Sequence, residues 1–124
     1  MPSTARPGNR LLADLPRKEY KELFPKLERI PLTYNENIYH PGDIIHQVYF
    51  PESGIISLLS AVSEDSTLEV GIVGNEGMAG LPVFLGVKTS GNRAVVQGAG
   101  SALMMTSQDL LNACKNGNKL PQII

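Results

Sequence analysis

Between Ile30 and Thr106 no stretch of the chain repeats apolar residues at the three-and-four spacing of a helix. Runs of branched and aromatic residues recur instead, each cut off by glycine, proline or short polar residues. Strands are predicted at 30–34, 37–40, 47–50, 54–62, 67–73, 93–98 and 101–106. Pro41-Gly42-Asp43, Pro51–Gly54 and Ser63–Ser66 read as the turns between them, because proline presets φ and glycine accepts positive φ. Gly98 and Gly100 separate the last two runs. In Thr67–Val73 the apolar Leu68, Val70 and Ile72 alternate with Thr67, Glu69 and Gly71, which predicts one buried and one wet face. Short strands with turns every about 8–12 residues build a sandwich, a jelly roll or a barrel. With 124 residues there is room for one such domain.

Helical signals lie only at the two ends. Asn9 can cap a helix over 10–15, and Pro16 suits the first turn of a second over 16–24. Tyr20, Leu23, Phe24 and Leu27 form its apolar stripe, which Pro25 ends or kinks. Ser107 reads as the N-cap of a helix through Lys115, with Leu110, Leu111 and Cys114 inward. Asn116-Gly117-Asn118 breaks it. Leu120, Ile123 and Ile124 then open a further amphipathic pattern, with Pro121 in its first turn. One turn cannot stand alone, so residues 119–124 read as the start of a longer helix.

The net charge of −1 hides an asymmetry. Residues 1–29 hold seven bases and four acids, whereas residues 30–87 hold seven acids and no Lys or Arg. That middle would repel nucleic acid, which needs clustered bases. No run of about 18 apolar residues is present, which excludes a transmembrane helix. MPSTARPGNR lacks the apolar core of a signal peptide, so the chain reads as cytoplasmic.

Catalytic chemistry is hard to assemble. Cys114, the single cysteine, falls in a helix stripe and reads as a structural thiol. His40 and His46 flank a turn at a spacing that fits no metal motif, and no metal site is expected. Glu64-Asp65 reads as a solvated turn, and Met104-Met105 as strand core. Neither a nucleophile elbow nor a phosphate-binding loop of the Walker type occurs. The stretch from Gly74 to Gly80 can let a backbone approach a ligand closely; it can equally be a turn between strands. Arg93 opens the run Arg93-Ala94-Val95-Val96 and can close an anion site or simply stand on an edge strand.

These residues resemble a family. Pro41-Gly42-Asp43, Val48-Tyr49-Phe50-Pro51-Glu52-Ser53-Gly54, Val73 through Leu81 and Arg93 through Gln97 look, in that order, like the cyclic-nucleotide-binding-type effector domain of Crp/Fnr bacterial transcription regulators. The resemblance covers about residues 9–124. It implies a mainly β fold, an eight-stranded double-stranded β-helix or jelly-roll β-roll with small flanking helices. It further implies a dimerisation helix and a C-terminal helix-turn-helix beyond Ile124. The implied organisation is a flexible segment 1–8, the domain at 9–118, and the start of the dimerisation helix at 119–124.

The family's phosphate-binding cassette has a Gly-Glu pair opening a short helix, expected here within 76–86, and an Arg followed by Ser or Thr. Gly80 matches the glycine and Arg93 the arginine. Leu81 stands where the glutamate binds the ribose hydroxyl, and Ala94 where the hydroxyl residue meets the phosphate. A lost bond to a charged group costs about 1.5–3 kcal/mol, and the lost hydroxyl a further about 0.5–1.5 kcal/mol. The resemblance therefore implies a non-enzymatic regulatory effector domain with a degenerate site at Gly80, Leu81, Arg93 and Ala94. That site would hold a small anion rather than cAMP or cGMP. DNA contact and homodimerisation would belong to the longer protein. The alternatives are a competent cyclic-nucleotide module with non-standard ribose contacts and a non-catalytic interaction domain. The oxygen-sensing cysteine cluster of the FNR branch is excluded, since residues 1–29 contain no cysteine.

Overall fold

Two long strands carry the fold. In the computed structural model, which describes residues 7–123, β3 spans Gln47–Ser63 and β5 spans Arg93–Thr106. They pair antiparallel along most of their length, from Gln47 opposite Thr106 to Leu59 opposite Arg93. β1 (Glu28–Leu32) and β2 (Asn37–Tyr39) pair with successive parts of β5, and β4 (Ser66–Val73) pairs with β3. The sheet order is β1-β5-β3-β4, with β2 also on β5.

Among the described residues the seven predicted runs form five strands, because β3 and β5 each run unbroken through a position predicted as a break; the resemblance implies eight. The expected turn at Pro51–Gly54 is instead a bulged bend inside β3. Pro51 pairs with Ala102, Ser53 with Ser101 and Ile55 with Gly98, with register shifts between them. Gly54 takes φ +85°, and a Cβ on Gly100 would collide with the Ser53 carbonyl carbon and oxygen. The glycines that read as terminators are thus what lets two bent strands stay in contact.

The buried face of this sheet carries Val48, Phe50, Ile56, Val96, Leu103 and Met105. Helices α1 (Arg10–Ala13), α2 (Arg17–Leu23), α3 (Ser107–Lys115) and α4 (Leu120–Ile123) add Leu12, Leu23, Leu110 and Leu120 to the same core. Pro25 ends α2 and converts the next turn to a 3-10 helix over Phe24–Lys26. Glu19 ties α2 to the start of α4: its carboxylate accepts from Lys119 N–H at 2.8 Å, and Asn118 caps Leu120 N–H at 3.0 Å. Among the described residues no helix is long and apolar enough to cross a membrane. The expected flexible segment 1–8 lies outside the described residues apart from Pro7 and Gly8, and Ile124 lies outside them too.

Three further expectations need correction. The alternation in β4 does not mark a buried face: Leu68, Val70 and Ile72 are 58%, 51% and 57% exposed. β4 is an edge strand, and a bulge opposite Leu58 and Leu59 breaks its alternation. Thr106, not Ser107, caps α3, accepting from Asp109 N–H at 3.1 Å; the Ser107 hydroxyl donates to the Ile45 carbonyl at 2.9 Å. Leu111 is not inward, because it faces a surface groove at 36% exposure.

Candidate functional site

The glycine stretch is fixed from both sides. Gly77 N–H donates to the Gly74 carbonyl at 3.2 Å, making a tight turn. The fully buried Asn9 side chain donates to the carbonyls of Gly77 and Pro51, each at 2.9 Å, while its Oδ1 caps Leu11 and Leu12. Ala79 and Tyr49 then exchange backbone hydrogen bonds at 2.8 and 3.1 Å, an isolated bridge that clamps the loop to β3.

Gly80 turns this clamped loop into a short helix. It sits at φ +102°, and a 3-10 helix follows over Leu81–Leu85, inside the predicted cassette. A Cβ on Gly80 would lie 2.7 Å from Val48 Cγ1 and 3.0 Å from the Tyr39 hydroxyl, so glycine is required by both conformation and space. The helix offers little to an anion, since Pro82 has no N–H and that of Val83 is used by the Gly80 carbonyl. Leu81 is 43% exposed.

Arg93 and Ala94 are adjacent on β5 and therefore point to opposite faces. Ala94 is fully buried in the core. Arg93 is half-buried, and its Nε donates to Asn37 Oδ1 on the neighbouring β2 at 2.8 Å. The two predicted halves of the site are thus reached from different sides of one strand.

Tyr39 links them. It pairs with Ala94 across β2 and β5, and its hydroxyl lies beside Gly80. The ring is buried and meets Tyr49 edge to face at 6.0 Å between centroids, while the hydroxyl donates to the Gln47 carbonyl. Burial, and then the neighbouring Tyr49, push the Tyr39 phenol far above its ordinary range. Burial followed by the Glu36 charge raises Tyr49 as well. Both phenols are neutral hydrogen-bonding groups at neutral pH. The sequence singled out neither Tyr39 nor Asn37. An aromatic at the end of a short strand reads as core, and only the strand register shows which glycine it faces.

The other candidates stay apart from this cluster. Burial pushes the Cys114 thiol up, the reverse of an activated nucleophile. Among the described residues no three His, Cys, Asp or Glu gather where they could hold a metal.

No family model matches the sequence, and no curated protein matches it. Solved structures do. The chain is similar to the N-terminal domain of a transcriptional regulator from Streptomyces coelicolor A3(2), at 16% identity and a TM-score of 0.74, over 98% of this chain and 84% of that one. It is similar to the sensor domain of the transcriptional regulator DNR from Pseudomonas aeruginosa, at 12% identity and a TM-score of 0.73, over 93% and 86%. A third neighbour is the regulatory domain of Toxoplasma gondii PKA with cAMP, at 12% identity and a TM-score of 0.76, over 94% of this chain and 44% of that one. The chain has the jelly-roll fold of cyclic-nucleotide-binding domains, which is also the fold of sensor domains of Crp/Fnr-type transcriptional regulators.

Proposed function

We propose that this chain is a non-catalytic regulatory effector domain in which the nucleotide cassette survives as a shape but not as a receptor. The observation that carries this reading is Tyr39. It is buried, its backbone pairs with Ala94 and its hydroxyl lies beside Gly80, the two positions that the resemblance gives to the grip on a cyclic nucleotide. Leu81 and Ala94 add to it, because neither supplies a polar group to a ribose or a phosphate. Arg93 keeps its charge, yet one of its donors is spent on Asn37. Opening the space would mean moving a buried aromatic and breaking the bond from its hydroxyl to Gln47. A ligand would have to offset both costs.

On this reading residues 9–118 are the domain, and residues 119–124 lead into a dimerisation helix of a longer cytoplasmic regulator. Contact with DNA belongs to another part of that protein. The two neighbours from transcriptional regulators support the regulatory reading at the level of fold. Calorimetric titration with cAMP and with cGMP tests the site. Neither should give saturable heat at concentrations up to about a millimolar. Micromolar binding of either nucleotide would refute the filled cassette and favour a competent module with non-standard ribose contacts.

A further inference from the structure

A groove of about 430 Å³ lies between the cassette's 3-10 helix at Leu81–Leu85, the segment 44–46 and α3. That size is typical of small-molecule sites, about 300–1,000 Å³. Ile44, Val83, Phe84, Val87 and Leu111 line it. Ile44 and Val87 are 58% and 46% exposed, so apolar area stands in water at a concave place where a ligand would cover it.

The walls are braced without the groove having to close. Ile45 N–H donates to the Lys88 carbonyl at 2.8 Å, with the Ile44–Thr89 bridge beside it. The Ser107 hydroxyl is spent on Ile45, and the Gln108 amide donates to Asn112 at 3.1 Å. Lys88 and His46 complete the lining, and no Asp or Glu takes part in it. Lys88 is the sole Lys or Arg between Ile30 and Asn92. Among the described residues the one ion pair joins Arg29 and Glu52, so the Lys88 ammonium is uncommitted.

One unspent cation at an apolar groove selects a particular chemistry. A phosphodiester backbone or an anionic membrane needs several bases in a cluster. A neutral apolar molecule would leave the ammonium unused. We propose that this groove binds a small apolar carboxylate, its hydrocarbon on Phe84, Val87 and Leu111 and its carboxylate on Lys88. The groove shares the cassette's short helix through Val83 and Phe84, but none of Gly80, Leu81, Arg93 or Ala94 lines it, so the proposal does not rest on the reading of that site.

Decanoate is a suitable probe, titrated into the isotope-labelled chain and followed by amide chemical shifts. Saturable shifts should concentrate at 83–88 and 107–111. Decanol should bind at least about tenfold more weakly, because it forgoes a charge-assisted contact. Lys88→Glu should weaken decanoate by a similar factor, and Arg93→Ala should leave it unchanged. Shifts centred on the exposed hairpin at 61–72 would overturn the proposal. So would equal binding of decanol, or an Arg93→Ala loss matching that of Lys88→Glu. Both substitutions are on residues outside the buried core, and the unperturbed amide spectrum of each variant verifies its fold.

Discussion

Replacing Asn9 should unsettle more of this molecule than any other single polar change. Its side chain makes four hydrogen bonds, two as a helix cap and two as a strap onto Pro51 and Gly77. Asn9→Ala removes the cap, worth about 1 kcal/mol. It also removes two bonds to carbonyls far away in sequence, at about 1 kcal/mol each, with a further cost where a buried oxygen is left unpaired. A loss of about 3 kcal/mol or more is expected, a large share of the roughly 5–15 kcal/mol that holds a domain together. Asn9→Asp separates the two roles. Aspartate caps helices as well as asparagine does, but it puts a carboxylate oxygen where an N–H₂ donated to two carbonyls at 2.9 Å. It should therefore destabilise at least as much as alanine at neutral pH. Urea unfolding followed by circular dichroism measures both, provided the slope with denaturant is unchanged. If the Asn9→Asp variant lies within ~0.5 kcal/mol of the parent, Asn9 is merely a cap, and the strap argument falls.

Tyr20 is buried, and among the described residues its hydroxyl has no partner; Tyr20→Phe should leave thermal stability unchanged or raise it by about 1 kcal/mol. Burial alone would raise the Glu52 carboxyl, but hydrogen bonds from Arg29 and Gly8 N–H outweigh it and hold the group below the usual carboxylate range. A depressed folded value gives stability that is present above the unfolded pKa and lost as pH falls through the folded one. Glu52→Gln should thus lose less stability than the parent between about pH 5 and about pH 2, measured by urea midpoints. Tyr20, Tyr39 and Tyr49 are all raised, first by burial, so the stability they confer is kept below the unfolded phenol pKa and lost as pH rises through the folded values. Phenolate absorbance should lag in the native protein above about pH 10 and appear on unfolding. Leu81→Glu with Ala94→Ser should gain no cAMP affinity in calorimetry while Tyr39 stands; adding Tyr39→Ala should produce it, and a gain in the double variant alone would show that the ring is no obstacle.

Local rules read the ends of elements well and their continuity badly. Asn9 caps α1 and Pro25 stops α2, because both effects act within one turn of the residue concerned. Gly54, Gly98 and Gly100 were legible as special positions, but their meaning depends on what lies across the sheet. A glycine that meets solvent ends a strand, whereas one that meets another backbone lets two strands bend together. Nothing within β3 distinguishes the cases, since the neighbour at Gly54 comes from β5, more than forty residues later. The misreading of β4 has a similar origin. Alternation predicts two chemically different faces, and burial needs a second layer that an edge hairpin does not have.

The candidate site divides along the same line. Gly80 was matched through the resemblance, and the structure gives it the positive φ before a short helix that suits a glycine. Leu81 and Ala94 entered only through the resemblance, as positions where the family's cassette has a polar group and this chain has none. Tyr39 was not singled out, because the role proposed for it consists of two non-local relations: a pairing with Ala94 fifty-five positions on, and a hydroxyl against Gly80. A pocket loses its ligand either when its polar grips are substituted or when its volume is taken. The first loss is written at the positions of the grips. The second can be written anywhere on the walls, by any residue large enough, and on the function proposed above Tyr39, two residues before the Pro41-Gly42 turn, is that residue. That makes a filled cassette harder to read than a disarmed one, although it is the more effective closure. A missing hydrogen bond weakens a ligand by a factor, whereas an aromatic ring occupying the same space excludes it until the core itself rearranges.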